Sequence, residues 1–318
     1  MKTPKRITDS LNKKQAYIDA GRDKLEKSVI RMQERLLKDL LSDIIPELEV
    51  ENGHIKDSTK NYRVLSGLDK IYKNFTAISE SVIGSQIITV TSGLNDIGSG
   101  YFKMILSGNM PSRFEKVISA TIDKMNLRIG IKEGSVVKGG FIDSIVKDPA
   151  AATSIKNYAS KSVTAQIESK EFIKGLSKMV TGDEKAGLLE RQYQGYAYDL
   201  YQQYDRAYNN SLASEFEMRY FLYQGGLIED SRDFCVAHNN KVWSVEEAAD
   251  WDRWMPYMGE YPDGYEIKQK DIYQIPSYLT IAGYQPLTDF GGPRCRHGIG
   301  YISDELAYEL RPELKSSE

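Results

Sequence analysis

The feature that most constrains the fold is a stretch without proline, residues 184–216, in which apolar side chains recur at helical spacing. Up to Ala207, three or four positions separate one apolar residue from the next, and this spacing places them on one face of a helix. The residues that carry the pattern are Leu189, Tyr193, Ala197, Leu200, Tyr204, Ala207 and Leu212. We therefore expect a long helix over residues 184–216.

The same stretch is rich in tyrosine. Its tyrosines are Tyr193, Tyr196, Tyr198, Tyr201, Tyr204 and Tyr208. Aromatic side chains on one helix can form a platform on which nucleic-acid bases stack. Several of these tyrosines share the apolar face with leucine, however, and a phenol can pack its ring while its hydroxyl reaches the rim of a core. Packing in a core or an interface is therefore the favoured interpretation.

Further helical patterns cover residues 25–44, 64–90, 112–128 and 154–180. Pro46 follows the first of them and should end that helix. Residues 93–100 are interpreted as a break after the second pattern, and residues 130–140 as an irregular segment between the last two. The chain up to residue 221 should therefore be largely helical.

The chain changes character after Phe221. Short aliphatic and aromatic runs are separated by turn signals such as Gly225-Gly226 and Asn239-Asn240, which indicates short strands. The segment Ser244-Val245-Glu246-Glu247 is typical of a capping box that opens a helix, here through about Trp254. Residues 255–290 contain prolines and no periodicity, which predicts a long loop.

These patterns predict a mainly α fold with a small α+β module near the carboxyl terminus. At 318 residues the chain is long enough for more than one domain. We expect a helical amino-terminal region over residues 1–110 and a second helical region, which contains the long helix, over residues 111–221. The α+β module should then occupy residues 222–318.

Charge is distributed unevenly along the chain, although its net value is only -3. Residues 1–38 hold eleven Lys or Arg and five Asp or Glu, whereas residues 225–318 hold nine and seventeen. The basic residues are mixed with acidic ones at helical spacing, which favours a solvated helix face over a nucleic-acid contact. Binding of DNA through residues 1–38 stays open as an alternative.

Two features concern the compartment. No apolar core of a signal peptide follows Met1, and no stretch approaches the ~20 apolar residues needed to cross a bilayer. The chain contains only two cysteines, Cys235 and Cys295. We therefore expect synthesis in a cytoplasm, no membrane partner, and cysteines that are reduced and do not form a disulfide scaffold.

Both cysteines belong to short pairs with histidine, Cys235-x-x-His238 and Cys295-x-His297. Thiolate and imidazole are the usual ligands of tetrahedral zinc, and structural zinc sites often combine two such pairs from separate segments. Fifty-six residues separate the pairs, more than in a classical zinc finger, yet a fold can bring them together. Cys235, His238, Cys295 and His297 are therefore candidate ligands of a structural zinc ion.

Other interpretations of these four residues stay open. The cysteines can be small buried apolar residues with the histidines exposed or hydrogen-bonded, or the two cysteines can form a disulfide. A zinc deaminase requires His-x-Glu and Pro-Cys-x-x-Cys, and neither motif is present. A Cys–His nucleophile pair would need an orienting group that the sequence does not identify, so we expect no enzymatic activity.

The ordered segments of this module resemble the terminal signature of Mu F-like head morphogenesis proteins of tailed phages. These segments are Ser231-Arg232-Asp233-Phe234-Cys235, His238, Lys241-Val242-Trp243-Ser244, Glu246-Glu247, Gly291-Gly292 and Cys295-Arg296-His297. The resemblance covers residues 225–303 and extends to the long helix that precedes them. This chain has His238 and His297 where the commoner family pattern has further cysteines.

The resemblance implies a minor structural protein of the capsid, associated with the portal vertex and needed for head assembly or for packaging and exit of DNA. Its partners would be the portal protein or the major capsid protein, and its location would be the phage head after synthesis in the host cytoplasm. The basic first helix, within residues 1–38, would be the candidate contact with packaged DNA. Two alternatives of other classes stay open: a zinc- or cysteine-dependent enzyme built on residues 225–303, and a DNA-binding protein that acts through the amino-terminal helix.

Overall fold

The computed structural model describes residues 4–251, 285–292 and 294–317. Helices dominate this part of the chain, which confirms the mainly α fold. The helices are α1 (Lys5–Asp43), α2 (Thr59–Ser66), α3 (Leu68–Ile105), α4 (Phe114–Ile129), α5 (Phe141–Val146), α6 (Ala150–Thr164), α7 (Ser169–Thr181), α8 (Leu188–Glu215), α9 (Asp233–His238), α10 (Val245–Ala249), α11 (Pro286–Asp289) and α12 (Asp304–Leu310), with 3-10 turns at Ile45–Glu47 and Pro312–Ser317.

A three-stranded antiparallel sheet forms the β part of the carboxyl-terminal module. Its strands are β5 (Tyr220–Gln224), β6 (Lys241–Ser244) and β7 (Gly298–Ile302), in the order β6-β5-β7. Tyr223 of the central strand pairs with Lys241 on one side and with Ile299 on the other. The expectation of short strands after residue 221 is confirmed, and the long connection between β6 and β7 includes residues 252–284, which lie outside the described part of the chain.

Two small hairpins lie in segments whose sequence shows no periodicity. One hairpin joins β1 (Val50–Glu51) to β2 (His54–Ile55), and the other joins β3 (Ile131–Lys132) to β4 (Ser135–Val136). The turn between β1 and β2 is Asn52-Gly53, and both residues have positive φ angles, 50° and 82°. Asn-Gly is a strong hairpin signal because both residues tolerate this left-handed conformation.

The chain divides into two compact units, each built from separate segments. The first unit contains residues 1–21, 90–125 and 198–318, and the second contains residues 22–89 and 126–197. The boundaries of these units fall inside α1, α3, α4 and α8. The three consecutive regions expected from the sequence, which meet at residues 110 and 221, therefore stay a prediction.

The second unit has a largely aliphatic interior. Leu36 and Leu40 of α1, Leu68 and Ile71 of α3, and Ile155 of α6 line a small apolar pocket. Four of these side chains recur three or four residues apart within their helices, as the sequence pattern predicts for the buried face of a helix. The helical pattern at residues 64–90 is interrupted at Gly67, where α2 ends and α3 begins.

The interior of the first unit is more polar. Lys14 of α1 forms an ion pair with Asp205 of α8 at 3.0 Å, and both side chains are buried. The Asp205 carboxylate also accepts a hydrogen bond from the Asn209 amide at 2.8 Å. The Tyr204 hydroxyl donates to the Asn95 side chain at 2.9 Å. Lys14 is thus bound inside the protein, although it belongs to the basic segment considered as a DNA contact.

The expected break at residues 93–100 is wrong, because α3 continues through it to Ile105. Gly93 faces Tyr17 of α1 so closely that a Cβ atom would collide with the tyrosine ring and hydroxyl. A Cβ at Gly98 would lie 2.7 Å from the ring of Tyr208 in α8. These glycines permit close helix packing, which in this case outweighs their intrinsic cost to a helix of ~1 kcal/mol each.

The long helix expected at residues 184–216 is confirmed as α8. It is buried on all sides between Leu200 and Asn209 apart from Gln203, whereas the sequence pattern predicts one buried face. Its tyrosines pack in the interior, as the favoured interpretation expects. The buried ones are Tyr193, Tyr201, Tyr204 and Tyr208, and the side chains of Tyr196 and Tyr198 lie outside the described residues.

The capping box at the start of α10 is confirmed. The Ser244 hydroxyl accepts a hydrogen bond from the Glu247 amide at 3.0 Å, and the Glu247 carboxylate accepts one from the Ser244 amide at 2.8 Å. The helix ends at Ala249, and the predicted continuation to Trp254 and most of the predicted loop at 255–290 lie outside the described residues. Within the described ranges, no helix is both long and apolar enough to cross a membrane.

Candidate metal centre

The carboxyl-terminal module brings three of the four candidate ligands into one buried group. Cys235 lies on α9, and Cys295 and His297 lie on the segment that leads into β7. The Cys235 and Cys295 sulfurs are 3.7 Å apart, and Cys295 Sγ is 3.7 Å from His297 Nδ1. The ligand atoms of all three residues lie within 4.8 Å of one another, so the group can bind a metal ion.

His238, the fourth candidate, does not belong to this group. Its Nδ1 atom is 2.7 Å from the carbonyl oxygen of Phe234, one helical turn earlier. The imidazole stacks on the Phe234 ring at 4.0 Å and lies 4.6 Å from the Trp243 ring. Burial lowers the pKa of His238 to about 3, so the ring is neutral at ordinary pH. The structure therefore places His238 in the aromatic core beside the group.

Tyr223 contacts both cysteine sulfurs and the ring of His297. Its ring stacks on the His297 ring, with centroids 5.0 Å apart and an interplanar angle of 15°. Its hydroxyl donates a hydrogen bond to Cys235 Sγ at 3.5 Å and lies 3.8 Å from Cys295 Sγ. Because Tyr223 lies in the central strand of the sheet, hydrogen bonds to both neighbouring strands fix its backbone.

A tight glycine turn allows the two cysteines to meet. Gly291 has a φ angle of 66°, in the left-handed region that favours glycine. A Cβ at this position would lie 2.5 Å from Cys295 Sγ and 3.0 Å from Cys235 Sγ. The Arg232 guanidinium donates to the Gly291 carbonyl at 2.7 Å and holds the turn near α9. Any larger residue at Gly291 would displace the sulfurs.

Arg206 reaches the site from α8. Its guanidinium donates to the carbonyl oxygens of Cys295 and His297 at 2.8 and 2.7 Å, and to that of Thr288 at 3.2 Å. The guanidinium also lies over the ring of Phe290, 4.0 Å from its centroid. The Arg206 side chain thus fixes the backbone that carries two of the ligands and brings a positive charge beside them.

The two thiols differ in acidity. Burial by itself raises the pKa of Cys295, but hydrogen bonds with Cys235 and His297 and the charge of Arg206 hold that pKa well below its ordinary value. The hydrogen bond with Cys295, followed by burial, raises the pKa of Cys235 well above its ordinary value. Burial, followed by the neighbouring sulfurs, likewise raises the pKa of Tyr223. Cys295 is therefore the thiol that ionises first.

The three residues fit zinc in both chemistry and spacing. Zn–S bonds of about 2.3 Å at tetrahedral angles place two sulfurs about 3.8 Å apart, and a Zn–N bond of about 2.0 Å places nitrogen about 3.5 Å from sulfur. The observed separations are 3.7 Å for the Cys235–Cys295 sulfurs and 3.7 Å for Cys295 Sγ and His297 Nδ1. Both cysteines are free thiols.

The sequence patterns do not identify two residues of the site, Tyr223 and Arg206. Tyr223 obeys no ligand spacing rule, and in the sequence it is one aromatic residue of a predicted strand. Arg206 is adjacent to Ala207, which the helical pattern places on the apolar face of α8. A charge beside that face is a signal for a buried polar partner, and it is the one signal that the sequence offers here.

Comparisons of the chain with models of known protein families, with curated proteins and with solved structures find no match.

Proposed function

We propose that this chain is a minor head protein of a tailed phage, associated with the portal vertex, and that it acts in head assembly or in packaging and exit of DNA. The observation that supports the proposal is that separate parts of the family signature come together in the fold. The signature resembling Mu F-like proteins lies in two stretches that are distant in sequence, residues 231–247 and 291–297, and both contribute side chains to one buried group. A set of segments that forms one module is a stronger basis for the resemblance than the separate short motifs.

Contacts between the signature segments are specific. Arg232 of the first segment donates to Gly291 at 2.7 Å, and the Trp243 indole donates to the His238 carbonyl at 3.2 Å. The Glu247 carboxylate caps α10 and accepts two hydrogen bonds from Arg311, at 2.8 and 2.6 Å. Each of these signature residues thus has a structural role, as expected in a module that serves for assembly.

We further propose that a structural zinc ion binds to Cys235, Cys295 and His297. When bound, such an ion supplies folding free energy by joining α9 to the segment before β7. Both cysteines are only 3% exposed. Reactive cysteines usually lie in partly exposed sites, so this burial favours a structural role over the enzymatic alternative.

Purified phage particles test the function. The expected result is a small, constant number of copies of this chain in each mature particle, detected by quantitative mass spectrometry, with cross-links to the portal or the major capsid protein. Absence of the chain from both mature particles and head precursors would contradict the proposal. Metal content of the purified full chain tests the zinc site separately, and the expected result is one zinc ion per chain.

A further inference from the structure

The phenolic oxygen of Tyr223 occupies the position that a fourth ligand would need. It is 3.5 Å from Cys235 Sγ and 3.8 Å from Cys295 Sγ. A Zn–O bond of about 2.0 Å at a tetrahedral angle places oxygen about 3.5 Å from a sulfur ligand. Together with the Cys235–Cys295 and Cys295–His297 separations, four of the six edges of one tetrahedron therefore agree with these values to within a few tenths of an ångström.

His238 does not lie among these ligand atoms, although its buried Nε2 atom has no hydrogen-bond partner among the described residues. Its Nδ1 atom is bound to the Phe234 carbonyl, and its ring lies between aromatic neighbours. Tyr223, in contrast, is stacked on the ligand His297, so the two rings bring their oxygen and nitrogen atoms to the same group of sulfurs. The backbone of Tyr223 is fixed in the centre of the sheet. A ligand on such a rigid element is already positioned before an ion binds.

The charges around the site are compatible with this assignment. In the described part of the chain, all hydrogen bonds of Arg206 go to carbonyl oxygens, and its Nε atom has no acceptor. The residue is only 3% exposed. A buried cation is costly unless negative charge lies nearby, and the partly buried Asp199 carboxylate already interacts with Arg206. A zinc ion with two thiolates and a neutral imidazole has no net charge, whereas a phenolate as the fourth ligand gives the site a charge of about −1.

We propose that Tyr223 is the fourth ligand of the metal site and binds as a phenolate, an inference that rests on the proposed zinc site. Binding of Zn²⁺ then releases the protons of the Cys235 thiol, the Cys295 thiol and the Tyr223 phenol to solvent, less any proton already lost, while His297 binds through its neutral Nδ1. The resulting anionic centre lies beside the Arg206 guanidinium, which offsets its charge.

Ultraviolet spectroscopy of the full chain tests the inference, because Zn²⁺ itself is colourless and ionised tyrosine has its own absorbance. The metal-free protein is titrated with Zn²⁺ at constant neutral pH, and affinity is measured against a chelating indicator. We expect the absorbance of one ionised tyrosine per bound zinc in the unmodified chain. In Tyr223→Phe this signal should be absent, and zinc affinity should fall by ~100-fold or more, at or beyond the upper end for loss of an outer-shell partner.

The matched control is Tyr301→Phe. Tyr301 is as buried as Tyr223 and lies in the neighbouring strand, but its hydroxyl donates to Asn210. This variant should bind zinc and show the tyrosinate signal as the unmodified chain does. If Tyr223→Phe does not fold, the absence of a tyrosinate signal from the zinc-bound unmodified chain would still overturn the inference. Among described residues, Tyr223 is the tyrosine whose hydroxyl bonds to the sulfurs.

The outcomes separate the two proposals. Stoichiometric zinc binding without a tyrosinate signal would overturn the role of Tyr223 as a ligand, leaving the hydroxyl as a hydrogen-bond donor to the sulfurs and the zinc site intact. Absence of zinc binding in the unmodified chain would overturn both the zinc site and its fourth ligand. A tyrosinate signal that persists in Tyr223→Phe would assign the ionised tyrosine to another position and reject the inference.

Discussion

The two compact units differ in what fills their interiors. In the second unit, aliphatic side chains such as Leu36, Leu40 and Ile155 meet around an apolar pocket. The first unit buries the Lys14–Asp205 ion pair and the polar groups of the candidate metal centre. Aliphatic cores tolerate exchange between side chains of similar volume, whereas a buried polar group requires its own partner. Mutations should therefore have graded effects in the second unit and all-or-none effects in the first.

Removal of the proposed zinc ion should produce the largest difference between the two units. A structural zinc ion can supply ~10 kcal/mol or more of folding free energy, so chelation should expose the backbone amides of β5 and β7 to hydrogen exchange. Amides of α6 and α7 in the second unit should keep their protection. Hydrogen exchange followed by mass spectrometry measures both, and Cys295→Ser should reproduce the effect without a chelator. Unchanged exchange in β5 and β7 would contradict the metal-dependent fold.

The buried ion pair provides the second test. Lys14→Met leaves Asp205 as an unpaired buried charge, and we expect a loss of ~3–5 kcal/mol in the free energy of unfolding. The double variant Lys14→Met/Asp205→Leu should recover most of that loss, because it removes both charges. Denaturant unfolding measures all variants, with the exposed Lys13→Met as the control. A double variant no more stable than Lys14→Met would argue against the all-or-none behaviour.

Leu36 tests the graded behaviour of the second unit. Leu36→Ala should lower the free energy of unfolding by about 3 kcal/mol, because it removes buried methyl groups and leaves a cavity. Leu36→Met, which conserves volume, should cost less than about 1.5 kcal/mol. The same denaturant titrations measure both. Equal losses in the two variants would show that this core is as demanding as the polar one.

Acid should act on the first unit through His238. Its pKa is about 3 in the folded chain and ~6.5 when unfolded, so above pH 6.5 the ring is neutral in both states. Below that pH the unfolded chain binds a proton at His238 and the folded chain does not. The free energy of unfolding therefore falls by ~1.4 kcal/mol per pH unit. We expect a loss of about 2 kcal/mol between pH 6.5 and 5 from this residue.

Denaturant unfolding of the unmodified chain and of His238→Gln across this pH range measures the contribution of His238 to the free energy of unfolding. Both proteins carry the same excess of zinc, so the pH dependence of metal binding is common to them. The plot of unfolding free energy against pH should have a shallower slope for His238→Gln, because that variant lacks the proton that His238 binds on unfolding. Equal slopes would mean that His238 is protonated in the folded chain.

Sequence patterns predicted the features that depend on local periodicity. The helix α8 and the capping box at Ser244 follow from the spacing of neighbouring residues, and the structure confirms both. The glycines at 93 and 98 were misinterpreted because glycine has two uses, as a helix breaker and as a site of close packing, and the partner decides which applies. That partner, Tyr17 or Tyr208, is distant in sequence.

The candidate site was predicted in part for the same reason. Cysteine and histidine are recognised by type, so Cys235, Cys295 and His297 could be selected without a fold. The position of His238 outside the group depends on the packing of its ring among Phe234, Trp243 and Trp251, which spacing does not reveal. The contribution of Tyr223 depends on strand order, because β5 must lie beside β7 before its hydroxyl can meet the sulfurs.

The packing of β7 has a consequence for the order of events during synthesis. Gly300 lies so close to the amino-terminal helix that a Cβ atom would be 2.8 Å from the Leu11 side chain, and Tyr101 donates to the Tyr301 carbonyl at 2.8 Å. Residues 5–21 are made long before the strand that covers them. A nascent chain therefore leaves the apolar surface around Leu11 uncovered by β7 until residue 302 is made, and a product interrupted earlier displays that surface to chaperones and proteases.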